Sequence, residues 1–587
     1  MEKMRTFVCI FFLSTALLAA CKKNAVEEQF TETINPVIPD FATQVNTSVN
    51  GFITDENDNA VAGASVIGGA ITVITDQFGY FKISTAAFAK TAGFVQVTKP
   101  GYFTGYRTFL PIEGKTTFIR LQLIPKTNAG NVEAATGGTI TTTDGAKITI
   151  PANAVVVAAN NAAYTGMVAI AAHWLNPSAV AATQLTMPGD LRGIDSSGYL
   201  KALITYGMLA VELTGSGGEK LQIAPGKKAT LSFPIPAAIA GTAPAAIPLW
   251  YFDETKGLWK QEGNAVKNGS NYEGVVSHFS FWNADVALGL VNFTTQLVDA
   301  ALNPISNIAL SISIAGQPNS ARISYTDANG FVVGMIPANS SIVMNVISAC
   351  NTTVFTQNIS TTNSAVDLGA LVINMPANLA IFSGTVNKCS GSPVTDGYVV
   401  IAGGGYNHVI NVVSGSFNAT QSVCPGTTAT VVAIDRETAQ QSNPQNIIQS
   451  TGANNLGIFS ACNTATETIT CLFDGVLTTY SLPQYLFNAN YDLASDSTDI
   501  KTIDLLNANR TVFRIGGIYG NSPGAYPIYY LYFSDRNYFF ISPTNVTITA
   551  YGLVGNFING HFSGTVKDNI NNTNHSIECN FQVKRDL

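Results

Sequence analysis

An all-β chain, organised as a multidomain array of antiparallel β-sandwiches with a further β domain at its C-terminal end, is what the sequence predicts. Three observations carry that prediction. From Ser48 onward, short alternating apolar and polar runs are broken by Gly, Asn, Asp or Pro about every 8 to 12 residues, the pattern of sandwich strands and turns. Long Glu/Lys/Leu/Ala stretches at a helical period are absent. A seven-residue phrase, TDQFGYF at Thr75–Phe81, returns as TDANGFV at Thr326–Val332. At 587 residues the chain is too long for one core. A hydrophobic share of 46% with 11% charged residues excludes a disordered chain. A net charge of −7 with no Lys/Arg cluster excludes a nucleic-acid partner, whose phosphates call for a basic face.

The elements follow in chain order. Lys3 and Arg5 precede a 14-residue apolar run, Phe7 to Ala20, too short to span a bilayer and suited to a secretory signal. Leu18-Ala19-Ala20-Cys21 resembles the lipobox of bacterial lipoproteins. The resemblance implies cleavage before Cys21 and lipidation of its thiol, with 1–21 as signal and 22–45 as a polar tether. Lys22, rather than Asp, follows the cysteine, which implies the outer membrane. Glu27-Glu28 resembles the acidic stretch of surface-displayed Bacteroidetes-type lipoproteins, so the cell surface is the expected location. No other segment reaches about 18 apolar residues, so lipid on Cys21 is the expected membrane attachment.

Residues 46–126 carry Val49-x-Gly51, Ala62-Gly63-Ala64 and Thr75-Asp76-x-x-Gly79-x-Phe81. These motifs resemble the carboxypeptidase regulatory-like domain, a small transthyretin-like (Ig-like) sandwich that is a spacer or accessory module and not the peptidase. The same plan recurs over 287–376 and 377–461. In the last copy Ser414-Gly415-x-Phe417 stands where Thr-Asp stood, so the Asp reads as a turn residue and not as a catalytic acid or metal ligand. Gly then supplies positive φ, and the following Phe is expected to point into the core.

All four Trp fall within 127–286, together with GGTITTTDGAKITIPANAV, ITYGMLAVEL, PLWYFDETKGLWKQEG and VSHFSFWNAD. That series resembles the extracellular β-sandwich region of cartilage intermediate layer protein and, more remotely, the sandwich pairs of ankyrins. Such modules serve as matrix or adaptor units. His278-Phe279-Ser280 resembles a self-cleavage phrase of ankyrin-type relatives, in which Ser280 would attack the Phe279 carbonyl with His278 as base. The alternative is a plain strand, with Val276, His278, Ser280 and Trp282 facing one way and Phe279 and Phe281 the other.

Residues 462–587 form an aromatic β domain. Tyr526, Ile528, Tyr530 and Tyr532 alternate with Pro527, Tyr529, Leu531 and Phe533, so one face is expected in the core. The other is a candidate ligand platform built from Tyr526, Tyr529, Tyr530 and Tyr532. Six cysteines remain beyond Cys9 and Cys21. Cys471 with Cys579, on the first and last strands of this domain, and Cys389 with Cys424, within the preceding one, are the expected disulfides. None has CxxC spacing.

Other chemistries fail on residue type. GNSPG (Gly520–Gly524) matches a nucleophile elbow, but Pro523 lacks the amide that would serve the oxyanion hole. DENDN (Asp55–Asn59) begins like a calcium loop yet has Ala60 and Val66 where Gly and Glu are required. The five His are scattered, without a metal-binding pair. No cofactor, metal or enzymatic turnover is expected. The sequence reads as an outer-membrane lipoprotein acting as a non-catalytic binding or adhesion module for an extracellular glycan or protein. The alternative is a structural stalk or envelope-complex subunit, and a self-cleaving sandwich at Phe279–Ser280 comes third.

Overall fold

The computed structural model describes residues 36–403, 406–438, 440–464, 467–481, 485–504, 510–533, 536–551 and 557–586. Cys21 lies outside them. The protein is all-β. The first sandwich contains β1 (Gln44–Thr54), β2 (Ser65–Gly68), β3 (Ile71–Ile74), β4 (Tyr80–Ala89), β5 (Gly93–Thr98), β6 (Gly105–Phe109) and β7 (Thr116–Gln122). One sheet has the order β4-β1-β7, with β1 antiparallel to β4 and parallel to β7; the other has the order β3-β2-β5-β6. Alternating residues, among them Val49, Ile53, Val66, Phe81, Ile83, Val95 and Leu121, close the core between them.

This strand order recurs twice. The second sandwich places Leu290–Val298 between Phe331–Pro337 and the parallel Val366–Val372, opposite a four-stranded sheet made from residues 309–360. In the third, Leu379–Lys388 lies between Ser416–Ser422 and the parallel Gly452–Ala461.

The repeated phrase is a hairpin corner. In the first copy Asp76 Oδ1 accepts the amides of Phe78 and Tyr80, while Thr75 Oγ1 donates to Val61 O and accepts from Ala64 N. In the second, Asp327 Oδ1 accepts from Asn329 and Phe331, and Thr326 Oγ1 from Ile308 N. Gly79 and Gly330 close the turns at φ 70° and 78°. The third copy uses a two-residue hairpin instead, with Ser414 and Gly415 both at positive φ and Val413 and Ser416 exchanging both backbone bonds. A turn of that kind needs no side-chain cap, so the Asp is dispensable there. Phe81 and Phe417 are buried, but Phe331 is not their counterpart. Register pairs Gly51 with Phe81 and Thr295 with Val332, so Val332 enters the second core and Phe331 corresponds to Tyr80 on the outer face.

Between the first two sandwiches, residues 128–288 form one thirteen-stranded sheet folded over its own core, plus the short helix α1 (Val180–Thr186). Trp250, Trp259 and Trp282 are fully buried. The terminal region is a nine-stranded antiparallel sheet that curls until Ala489 bridges Arg585, and the Asp586 amide donates to Ala489 O.

Cys471 and Cys579 are bonded across adjacent strands, at directly paired positions. The expected Cys389–Cys424 bond is not formed: Cys389 is bonded to Cys462 and Cys424 to Cys350. The parallel pairing of Lys388 with Ala461 brings Cys389 to Cys462. Leu379 pairs with Ser422, so Cys424 sits at the far end of the same ten-residue strand, roughly 30 Å away at strand rise. Cys350, in the turn after Ile347 of the second sandwich, meets it there, and this bond ties two modules together.

The modules do not run end to end. The outer face of the first sandwich, Phe52, Tyr80 and Phe118, packs on Tyr398, Val400, Val409, Val432 and Ile434 of the third. Its Phe103, Tyr106 and Ile124 pack with Trp250, Phe252 and Trp259. Lys99 donates to Thr470 Oγ1 of the terminal sheet, and burial lowers its pKa to about 7. The first sandwich thus touches each of these other modules.

Candidate functional site

The second sandwich differs from the first at one core position. Gly334 faces Phe293 across the sheet, where the first sandwich has Ile83 facing Val49. Ile83 is fully buried, whereas a Cβ placed on Gly334 would meet nothing within 4 Å. The missing side chain leaves a cavity of about 150 Å³ that enters the sandwich at its open side, between the strands Phe331–Pro337 and Gln317–Tyr325. Phe293, Leu310, Ile312 and Ile336 line it from the core. Strands β6 and β7, helix α1 and the segment Asp190–Arg192 complete its walls, so three modules meet there.

Those outer walls carry guanidinium groups. Arg107 of the first sandwich donates to the carbonyls of Leu185 at 2.8 Å and Gly189 at 3.2 Å, both in the tryptophan region. Arg192 of that region donates back to the carbonyls of Thr91 and Phe109 and pairs with Asp190 at 2.7 Å. Arg322 of the second sandwich donates to Leu203 O at 2.9 Å and Leu191 O at 3.3 Å. Gln184 receives the Ile323 amide and donates to Ala321 O. Every one of these side chains crosses a module boundary, which fixes three cores against one another. Five cationic side chains, with Lys115 and Arg120, line the cavity against two carboxylates, Asp190 and Asp327. Burial lowers the pKa of Arg107 and of Arg322 to about 10. Their Nε–H groups are buried and lack an acceptor.

Beside the cavity, Arg120 lies among four rings: Phe52 and Phe118 of its own module, Tyr325 of the second sandwich and Tyr406 of the third, the last at 3.8 Å. Its Nη2 donates to Asn407 O. His408 is buried next to Tyr406, and burial, reinforced by the Arg120 charge, keeps its imidazole neutral with a pKa of about 3.

The residues singled out by sequence lie elsewhere. His278 is wedged between Tyr251 and Trp282, and its Nδ1 is 3.3 Å from Ser277 Oγ. Ser280 Oγ donates to Phe281 O, so the structure does not bring the imidazole to that hydroxyl. Gln222 brackets Phe279, accepting its amide and donating to its carbonyl. On the terminal sheet the expected two-faced alternation is broken by a register shift between Ile528 and Tyr530. Ile528, Leu531 and Phe533 are all buried, which mixes the two faces read from the sequence. Tyr526 is half-buried and donates to Ser522 O; Tyr532 is half-buried; the side chains of Tyr529 and Tyr530 lie outside the described ones. Ser534 and Asp535 are likewise outside the described residues. Among the described residues no group of three or more His, Cys, Asp or Glu lies within reach of one metal ion.

The junction arginines escaped sequence reasoning, although a signal was there. In a chain with so few charges, YRTF, LRGI and SARISY each set an Arg among strand-forming residues, where a free cation would not be left unpaired.

No family model matches the chain. It is 36% identical over 87 residues to human cartilage intermediate layer protein 2, covering 14% of this chain and 7% of that protein. It is 34% identical over 107 residues to the mouse protein, covering 18% and 9%. The chain thus spans less than a tenth of the length of these relatives. Among solved structures it is similar to the shaft pilin spaA from Lactobacillus rhamnosus GG, at 9% identity, 30% of this chain, 98% of that one and a TM-score of 0.17. It is also similar to a variant of BcpA, the major pilin subunit of Bacillus cereus, at 12% identity, 57% and 100% coverage and a TM-score of 0.13. At those scores the structural likeness carries no argument; the all-β architecture stands on the strands themselves.

Proposed function

We propose that the chain is a non-catalytic binding or adhesion module, held at the outer membrane by lipid on Cys21, that presents its β modules to an extracellular glycan or protein. The observation that carries this reading is on the terminal sheet. Phe539 and Ile541, two residues apart on one face of the strand Arg536–Tyr551, are 53% and 51% exposed. Large apolar side chains displayed on one face of a sheet suit stacking on a sugar ring or burial by a partner. The partial similarity to cartilage intermediate layer protein 2 fits an interaction module. Residues 22–587, produced without lipid, should be retained on one of a panel of polysaccharide and matrix-protein columns, and F539A/I541A should lose that retention. Elution of the wild-type chain with the void from every column would overturn the reading.

A second reading, a subunit of an envelope assembly, is favoured by open sheet edges. Among the described residues Thr353–Ser360, Val366–Val372 and Gly452–Ala461 each pair on one side only. Such edges accept a further strand from another chain. Cross-linking in intact cells that traps a partner through these strands would favour assembly.

A further inference from the structure

We propose that the cavity at the junction of the first sandwich, the tryptophan region and the second sandwich binds a small carboxylic acid with an apolar body. It is independent of what the outward surface recognises. Three features fit that chemistry together. The inner end is apolar, lined by Phe293, Leu310, Ile312 and Ile336, and it exists because Gly334 occupies a position filled by Ile83 in the first copy. A glycine in the middle of a strand, with open space over its Cα, is where a ligand can approach closely.

The outer end is cationic. Arg107 is only 8% exposed, its two terminal nitrogens are held by backbone carbonyls, and its Nε–H has no acceptor; the same is true of Nε of Arg322. Among the described residues neither guanidinium has a carboxylate within bonding distance, and Asp190 is paired with Arg192. Asp190 acts through space on both guanidiniums and Asp285 on that of Arg322, yet the five cations of the cavity wall outnumber its two carboxylates, so the wall carries excess positive charge. A carboxylate held against this wall supplies the missing negative charge.

Size and access select the rest. A cavity of about 150 Å³ accepts a body of roughly benzene size. Ser324 lines the cavity and is also exposed, so the cavity reaches the surface there. A bare inorganic anion would leave the apolar end empty, and an uncharged hydrocarbon would leave the excess positive charge of the wall unmet.

The test uses the full chain from residue 22, titrated calorimetrically with hexanoate and benzoate, and with hexan-1-ol and acetate as the two half-ligands. Hexanoate or benzoate should bind at least about tenfold more tightly than either half-ligand, the increment expected from hydrogen bonds to a charged group. A preference between them tells whether the natural ligand is an aliphatic or an aromatic acid. Gly334→Leu should abolish binding. Gly334 is not held at positive φ and its Cβ position is open, so the variant is expected to fold. No heat from either acid, equal binding of hexan-1-ol, or unchanged binding in Gly334→Leu would each overturn the proposal. Comparison of the acids with hexan-1-ol on the unaltered chain decides the matter even if the variant misfolds.

Discussion

The first and second sandwiches share strand order, parallel closing pair and hairpin corner, yet they differ inside and out. Inside, Ile83 fills the first core, whereas Gly334 opens the second. Outside, Phe52, Tyr80 and Phe118 make the first module's sheet apolar enough to be covered by the third, whereas the corresponding strand of the second carries Thr294 and Gln296. The corner is retained because it makes local hydrogen bonds that any copy needs. The faces have diverged because each copy meets different neighbours. One copy has become the packing hub of the chain, and its near-duplicate carries a cavity at a three-way junction.

Exchanging the residues that separate the copies gives the largest effect. Ile83→Gly should destabilise the first sandwich by about 4 kcal/mol, from the lost side chain and the glycine in a strand, read as a lower urea midpoint. Removing the Cys350–Cys424 bond by a double serine substitution should cost a comparable amount, about 4–4.5 kcal/mol on a chain-entropy argument for its 74-residue separation. That loss should appear as earlier separation of the second and third sandwiches, seen in hydrogen exchange along Thr420–Gln421. Gly334→Leu, which fills the position left open in the second copy, should stabilise by about 1–2 kcal/mol through added buried apolar surface, seen as a raised Tm.

A pH-dependent effect concerns the corner itself. Asp327 is the plain turn residue of the second copy, but Asp76 of the first also accepts a hydrogen bond from the Tyr398 hydroxyl of the third sandwich. Burial raises the Asp76 pKa to about 6, partly offset by the Tyr398 hydroxyl and the amides of Tyr80 and Phe78. The folded state therefore holds its proton more tightly than the unfolded chain. That stabilisation is complete below about pH 4 and is lost as pH rises through about 6. Melting temperatures measured from pH 4 to 7 should show this slope in the wild-type chain and lose it in Asp76→Asn.

Local chemistry was legible in the sequence. Alternation and turn residues marked the strands, and the exchange of Thr-Asp for Ser414-Gly415 identified the aspartate as a turn residue, because turns are built from neighbours in the chain. What was hidden depends on distant partners. The shift between Ile528 and Tyr530 comes from pairing with Arg536–Tyr551, so no strict period-2 reading of the tyrosines could place them. The pairing of Cys389 with Cys462 follows from the parallel register of the first and last strands of the third sandwich. Nothing in the phrase GYRTF says that Arg107 will reach carbonyls 78 and 82 residues away. Gly334, one glycine among 51, acquires meaning only when the copies are superposed in register with Ile83.

The account rests on the first sandwich gathering the other modules around it, which small-angle X-ray scattering of residues 22–587 tests most directly. A clustered body of this length should give a radius of gyration near about 25–30 Å. A value near roughly 50 Å, that of modules strung end to end, would contradict the arrangement and with it the three-way junction.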